Sequence, residues 1–354
     1  MRWIIIIMLL ACSAGGARAQ THTTSPAEGL GIQENIMRRD PSDIIRVKDQ
    51  YYVWYTRHTH PEDPSGYNAT IWYATSTDGH AWTEQGESLP RGPQGSFDEH
   101  SVFTPNIMVA EGKYWLFYTA VPEPFINQGE MSSKTAIGLA VSDSPDGPWK
   151  KLDNNPVLKP SDDREAFDSL RVDDTCLIVR DGKYWMYYKG RQWNNSPGKT
   201  KMGVAISDKP EGPYIKHKAN PIIQGGHAVV VWPYGEGVVA LIGKAGPPGI
   251  QNTLQYAQDG ISFEKTEDVT NGMRAGGTYR PEAFTDSGEG KMVEWGLHIG
   301  PKETRRLPFL ERVNFLWKDD APAETKKTTL SSSFGEATPK PNVVFIFADD
   351  LGYG

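Results

Sequence analysis

The chain reads as an all-β protein built as a five-bladed β-propeller, followed by a linker and the first strand of a separate α/β domain. Three observations carry this reading. A unit of two strands, a long connection and a third strand with a turn recurs at a period of about 50–70 residues. Almost no stretch has the 3.6-residue period of an amphipathic helix. The strands carry apolar residues on both faces, as radially packed blades require. An irregular β-sandwich is the competing reading, and the four-part repeat speaks against it.

Residues 1–19 read as a signal peptide: Arg2 supplies a positive start, Trp3 to Ala11 an apolar run, and Ala17-Arg18-Ala19 a small-x-small cleavage site. Leu9-Leu10-Ala11-Cys12 loosely resembles a lipoprotein box, but it lies very near the start. Export to the periplasm or beyond is therefore expected. Residues 20–32 read as a polar leader and 33–317 as the propeller.

The repeats begin with IIRVKDQYYVWYT and TIWYATSTDGHAWTEQ, then NIMVAEGKYWLFYTA and AIGLAVSDSPDGPWKKL. The third is the clearest. VDDTCLIVR and KYWMYYKG flank Asp181-Gly182, a turn signal for a hairpin, and MGVAISDKPEGPYIKH completes the unit. AVVVWPYGEGVVALIGK with TLQYAQDGISFEKT, and a weaker EAFTDSGEGKMVEWGLHI with FLERVNFLW, give blades four and five. From 318 to 340 a Pro, Thr and Ser-rich stretch reads as a solvated linker. Residues 341–354 form an apolar strand that ends at Asp349-Asp350.

Net charge is -7 and no basic stripe is present, which argues against a nucleic-acid partner. No run after the signal peptide is long enough to span a bilayer. The aromatic content, Trp 11, Tyr 15 and Phe 12, suits β-strands first and sugar stacking second. Cys176 is the one cysteine outside the signal peptide and reads as a small buried hydrophobe.

In a propeller the innermost strands line a central channel, so polar groups that open those strands share one funnel. They are Arg39 and Asp40 in blade one, Asp98, Glu99 and His100 before blade two, and Asp173 and Asp174 in blade three. His227 opens blade four, and Tyr279, Arg280 and Glu282 open blade five. Thr104, Lys189 and His298 join them as candidate substrate-binding residues. Neighbours on a strand point to opposite faces, so one of Asp173 and Asp174 should face the funnel while the other caps backbone. Such a ring suits acid–base chemistry on a polyol. Cleaving a glycosidic bond needs a proton donor for the leaving oxygen and a carboxylate to activate water.

RRDPSDII, VFTPNIM, RVDDTCLI and GGHAVVVWPY, in this order, resemble glycoside hydrolase family 117 over about Gln33 to Trp317. The resemblance implies an exo-acting, inverting α-1,3-(3,6-anhydro)-L-galactosidase acting on algal galactan oligosaccharides. It implies Asp40 as general base, one of Asp173 and Asp174 as second carboxylate, and His227 as general acid, raised in pKa by a neighbouring carboxylate. The family often carries a glutamate after that histidine, and this chain has Ala228. The resemblance also allows for a dimer, and implies no cofactor for the propeller.

PNVVFIFADDLGYG resembles the opening of a formylglycine sulfatase of the alkaline-phosphatase-like fold, whose paired aspartates, here Asp349 and Asp350, ligate calcium in a complete domain. It implies that the propeller was fused to a sulfatase, so that the substrate is expected to be a sulfated polysaccharide. Two rivals stand beside the hydrolase reading. One is a non-catalytic polysaccharide-binding propeller. The other is a family-43-like arabinofuranosidase or xylosidase, which would need Glu99 or Glu282 as its acid.

Overall fold

The computed structural model describes residues 22–316, save 60–66, 128, 130–131, 244–245, 270–272, 286–289 and 302–306. The signal peptide, linker and sulfatase-like strand, with Asp349 and Asp350, lie outside the described residues.

The fold is a five-bladed β-propeller. Its sheets are antiparallel meanders. Blade two runs outward from Ser101–Ala110 through Lys113–Val121 and Ala136–Ser142 to Lys150–Lys151. Blade three repeats it from Arg171–Arg180 through Lys183–Arg191 and Lys201–Ser207 to Ile215–Lys216. The aromatic middle strands, KYWLFYTAV and KYWMYYKGR, are buried along most of their length because a neighbouring blade covers each face. Five apolar clusters result, one between each pair of adjacent blades, as a closed ring demands.

Closure comes from a strand that the sequence reading assigned to the leader. His22–Pro26 is the outermost strand of blade five and pairs antiparallel with Leu310–Phe315, His22 opposite Phe315. Ala27 and Leu30, which follow it, are buried between blades five and one. The strand was masked because HTTSP is polar: an outermost strand needs backbone pairing and buries little side-chain surface. The partner that creates it lies almost the whole chain away.

The far end of the central channel is stopped by a short 3-10 turn, Pro281–Phe284. Ala283 is fully buried there, and Phe284 packs into three of the inter-blade clusters at the level of Ile107, Met108, Leu177 and Ile178. These residues lie further along the inner strands than Thr104 and Asp174, so the channel is blind opposite its acidic mouth.

Candidate active site

The inner strands carry one irregularity in common. Asp40, Thr104, Asp174 and Ala275 hold φ between 42° and 49°, a region that side chains other than glycine rarely adopt. In blades two and three the pairing register breaks at the same place, between Phe103 and Asn106 and between Asp173 and Cys176. Such bulges re-aim side chains, and strained residues of this kind gather at functional sites. All four residues, together with Ala228, line one funnel. Asp43, Asn106 and Cys176 also line it, further along the inner strands.

Asp40 is buried, and its carboxylate accepts a hydrogen bond from Arg39 Nε at 2.8 Å. Arg39 also donates to the Tyr67 hydroxyl at 2.6 Å and lies over that ring. Burial pushes the Asp40 pKa up, against the pull of Arg39.

In blade three, Lys189 carries the site. It is buried, donates a short hydrogen bond to Asp174 Oδ2, and sits 3.4 Å from Asp173 Oδ1. Asp174 faces the funnel, whereas Asp173 is held beside Lys189 rather than capping backbone, because the bulge breaks strict alternation. Burial raises Asp173 to about 6 despite Lys189. The Lys189 charge also acts on Asp40 and His227, so Lys189, Asp173, Asp174, Asp40 and His227 form one electrostatic unit.

His227 precedes the inner strand of blade four, Val229–Tyr234, and donates to the Pro197 carbonyl. The expected pull of a neighbouring carboxylate is present but outweighed. The Lys189 ammonium, then burial, push the His227 pKa down to about 3, and Asp174 opposes them. His227 as a whole residue is exposed, so the neighbouring charge rather than burial is the decisive cause.

Thr104 lines the funnel, its hydroxyl 2.5 Å from that of Thr119. The remaining candidates lie elsewhere. Asp98 is buried between strands, accepting from Ser96, Tyr118 and Lys151. Glu99 accepts from the Gly95 amide in a turn, and the His100 amide donates to the Val121 carbonyl at 3.1 Å. Tyr279 packs on Tyr51 and Trp295 between blades. Arg280 is buried deeper along the axis and pairs with Asp43. Glu282 sits on the turn that stops the far end, with Lys291 at 4.0 Å. His298 faces Glu311 on the next strand, 2.7 Å away. The sequence marks where inner strands begin but not which side of the bulge a side chain takes. Asp43 was the omission, legible as the second aspartate of Asp40-Pro41-Ser42-Asp43.

The chain is similar to a solved structure of Zg3597, a family 117 glycoside hydrolase produced by the marine bacterium Zobellia galactanivorans. The two are 32% identical over 84% of this chain and 90% of that one, with a TM-score of 0.75. This chain belongs to glycoside hydrolase family 117. The family-117 propeller also matches the model of glycosyl hydrolases family 43 over residues 35–176, which spans blades one and two and the bulge of blade three. Two curated relatives are similar over shorter stretches. A Xylosidase/arabinosidase 43A from Humicola insolens is 31% identical over 113 residues, 31% of this chain and 33% of that protein. An extracellular endo-α-(1→5)-L-arabinanase from Thermotoga petrophila is 26% identical over 165 residues, 42% of this chain and 33% of that protein. The chain thus spans about a third of the length of these curated relatives. As a family-117 member it is a glycoside hydrolase. Among the described residues, no helix is long and apolar enough to cross a membrane.

Proposed function

We propose that this hydrolase releases a terminal sugar from algal galactan oligosaccharides with inversion, as an exo-α-1,3-anhydro-L-galactosidase does. One observation carries the reading: Asp40 and Asp174 line one funnel whose far end is stopped, and the Lys189 charge acts on both of them and on His227. A blind funnel admits a chain end rather than a passing polymer. In this reading Asp40, oriented by Arg39, takes the proton of water. His227 protonates the leaving oxygen, and Asp174 with Lys189 positions both.

The ionisation pattern gives the mechanism a particular form. The base is shifted up and the acid down. The active protonation state is therefore a minor fraction, and the rate should follow a bell whose limbs belong to the coupled pair.

The family-43-like reading is supported by the partial family match, yet of its two candidate acids Glu99 holds the Gly95 amide in a turn and Glu282 sits on the turn that stops the far end. Ala228 favours a binding propeller without catalysis. Product assays on agar, carrageenan, porphyran and arabinan oligosaccharides separate these readings. Variants then test the roles. Asp40→Asn and His227→Ala should each lower the rate on the natural oligosaccharide by about 10²–10⁴. An activated aryl glycoside, whose leaving group needs no proton, should rescue His227→Ala and leave Asp40→Asn slow. Equal rescue in both removes His227 as the acid.

We also propose export after cleavage at Ala19, checked by sequencing the mature N-terminus, and an original fusion to a sulfatase, on the resemblance of residues 341–354.

A further inference from the structure

Asn106 lines the funnel and holds no role in the chemistry proposed for it. It is the first residue of blade two to pair again after the bulge, opposite Phe117, and it is buried. Its side-chain amide is satisfied at both ends. Oδ1 accepts from the Asp43 amide at 3.0 Å and from the Ile107 amide at 2.8 Å, and Nδ2 donates to the Thr175 carbonyl at 2.6 Å. Asp43 lies three residues after Asp40 on blade one, and Thr175 follows Asp174 on blade three. One side chain of blade two thus joins the backbone behind Asp40 to the backbone behind Asp174.

The Asp43 segment is held on its other sides as well. The Ser42 amide donates to the Trp54 carbonyl at 2.7 Å, and the Ser42 hydroxyl accepts from the Trp54 amide at 3.0 Å. Asp43 Oδ1 accepts from the Thr278 amide of blade five at 2.9 Å. Gly277 approaches so closely that a Cβ there would lie 1.8 Å from the Ser42 carbonyl oxygen. Asn106 supplies the hold toward blade three. Its counterpart after the blade-three bulge, Cys176, has only a thiol, a weaker donor, 3.2 Å from the Val231 carbonyl and 3.7 Å from Asp43 Oδ2. A brace between blades one and three has work to do. Burial pushes the Asp40 pKa up, Arg39 opposes it, and the Asp174 charge adds to it, so the two carboxylates repel. Both also sit at positive φ, a strain that persists only where the surroundings over-determine the backbone.

We propose that Asn106 is a positioning residue for the hydrolysis: its amide ties the strand behind Asp40 to the strand behind Asp174 and so fixes the separation of the two carboxylates. It touches no substrate and acts through the two backbones it joins. The proposal rests on the roles given to Asp40 and Asp174 under the proposed function. An asparagine that merely satisfied backbone groups left over by the bulge would stabilise the fold and leave the rate per folded molecule unchanged.

The test is steady-state kinetics, counted per folded molecule from denaturant melts, on whichever agar, carrageenan, porphyran or arabinan oligosaccharide the unmodified protein cleaves. Asn106→Leu should lower kcat by about 10²-fold, the order of a misplacement of about 1 Å, and change KM by less than about threefold. An activated aryl glycoside should not rescue it, because the defect lies on the side of the base. The control is Asn155→Leu. Asn155 also makes three hydrogen bonds, to the Leu139 amide and carbonyl at 2.8 and 2.9 Å and to the Tyr118 hydroxyl at 3.3 Å, all within blade two. It should lose stability and keep its kcat. Asn106→Asp keeps the acceptor, and only its neutral form can donate to the Thr175 carbonyl. The carboxylates of Asp40, Asp43 and Asp174 line the same funnel, paired with Arg39, Arg280 and Lys189. The kcat of Asn106→Asp relative to the unmodified protein should therefore recover as pH falls, since protonation restores the donor; this variant also carries the test if Asn106→Leu does not fold. A kcat of Asn106→Leu within about threefold of native, a loss in KM alone, an equal kcat loss in Asn155→Leu, or an Asn106→Asp as slow as Asn106→Leu at every pH would each overturn the brace. If Asp40→Asn is slow while Asn106→Leu is native, the brace alone fails; if Asp40→Asn is native, or no oligosaccharide is cleaved, the proposed function fails and the brace with it.

Discussion

Blades two and three are near copies, and they differ where the chemistry is. Both hold a buried aspartate in the same clasp. Asp98 accepts from Ser96 at 2.7 Å, Tyr118 at 3.1 Å and Lys151 at 2.6 Å. Asp168 accepts from Ser161 at 2.7 Å, Tyr188 at 2.9 Å and Lys216 at 2.6 Å. Asn155 and Asn220 donate to the two tyrosines at 3.3 Å in turn. The clasp ties the connection before each blade to that blade's second and fourth strands. At the bulge the copies part. Blade two sets Thr104 against Thr119, a neutral hydroxyl pair, where blade three sets half-buried Asp174 against buried Lys189, an ion pair. The clasp that recurs in both blades belongs to the scaffold, and the pair found in blade three alone is the one the proposed mechanism uses.

The largest effect should come from erasing that difference. Asp174→Thr with Lys189→Thr gives blade three the pair of blade two. Activity on the oligosaccharide should fall by about 10²–10⁴ if, as proposed, these groups position acid and base. The double variant also leaves buried Asp173 without the Lys189 ammonium 3.4 Å away, so a loss of stability should accompany it, read by a denaturant melt, with activity counted per folded molecule. Near-native kinetics in the double variant would break the comparison.

The clasp predicts the opposite split. Asp98→Asn should destabilise by about 1.5–3 kcal/mol, the range for hydrogen bonds to a charged group, and Asp168→Asn by a similar amount. Activity per folded molecule should stay the same in both. Denaturant melts with active-site titration would check this, and a catalytic defect in Asp98→Asn alone would return that residue to the funnel.

Next in size is a shift along the pH axis. Lys189 lowers both His227 and Asp40, so Lys189→Met should raise both and move the activity bell to higher pH, by about 1 unit. Lys189→Arg should keep the charge and the native profile. A bell that stays in place in Lys189→Met would remove the lysine as the group that tunes the pair. Smallest of all, Thr104→Val should cost about 1 kcal/mol of stability or less and change kcat/KM only a few-fold. A loss above tenfold in kcat/KM would mean that blade two touches substrate as well.

The same contrast explains what the sequence could disclose. Five repeats, strand-opening carboxylates and His227 were legible because they are local patterns. Asp98 was misread because it also precedes an inner strand, although its recurrence as Asp168 after the same phenylalanine, Phe97 and Phe167, marks it as scaffold. Tyr279, Arg280 and Glu282 were misread because the fifth blade breaks the repeat: its inner strand is only Gly277–Thr278, and the chain then turns across the axis. The low pKa of His227 was not legible because its cause, Lys189, comes from the second strand of another blade.

The polar strand His22–Pro26 gives the ring a seam. Its partner is among the last residues of the propeller to be made, so the first strand synthesised must wait, unpaired, for nearly the whole ring. The loop it closes is the longest in the fold, and such contacts form slowly. Until then the exposed edge of blade five is an open template for strands of other chains. Its short, Thr- and Pro-containing sequence, a weak sheet former on its own, suits a segment that must stay solvated until the ring is ready to shut.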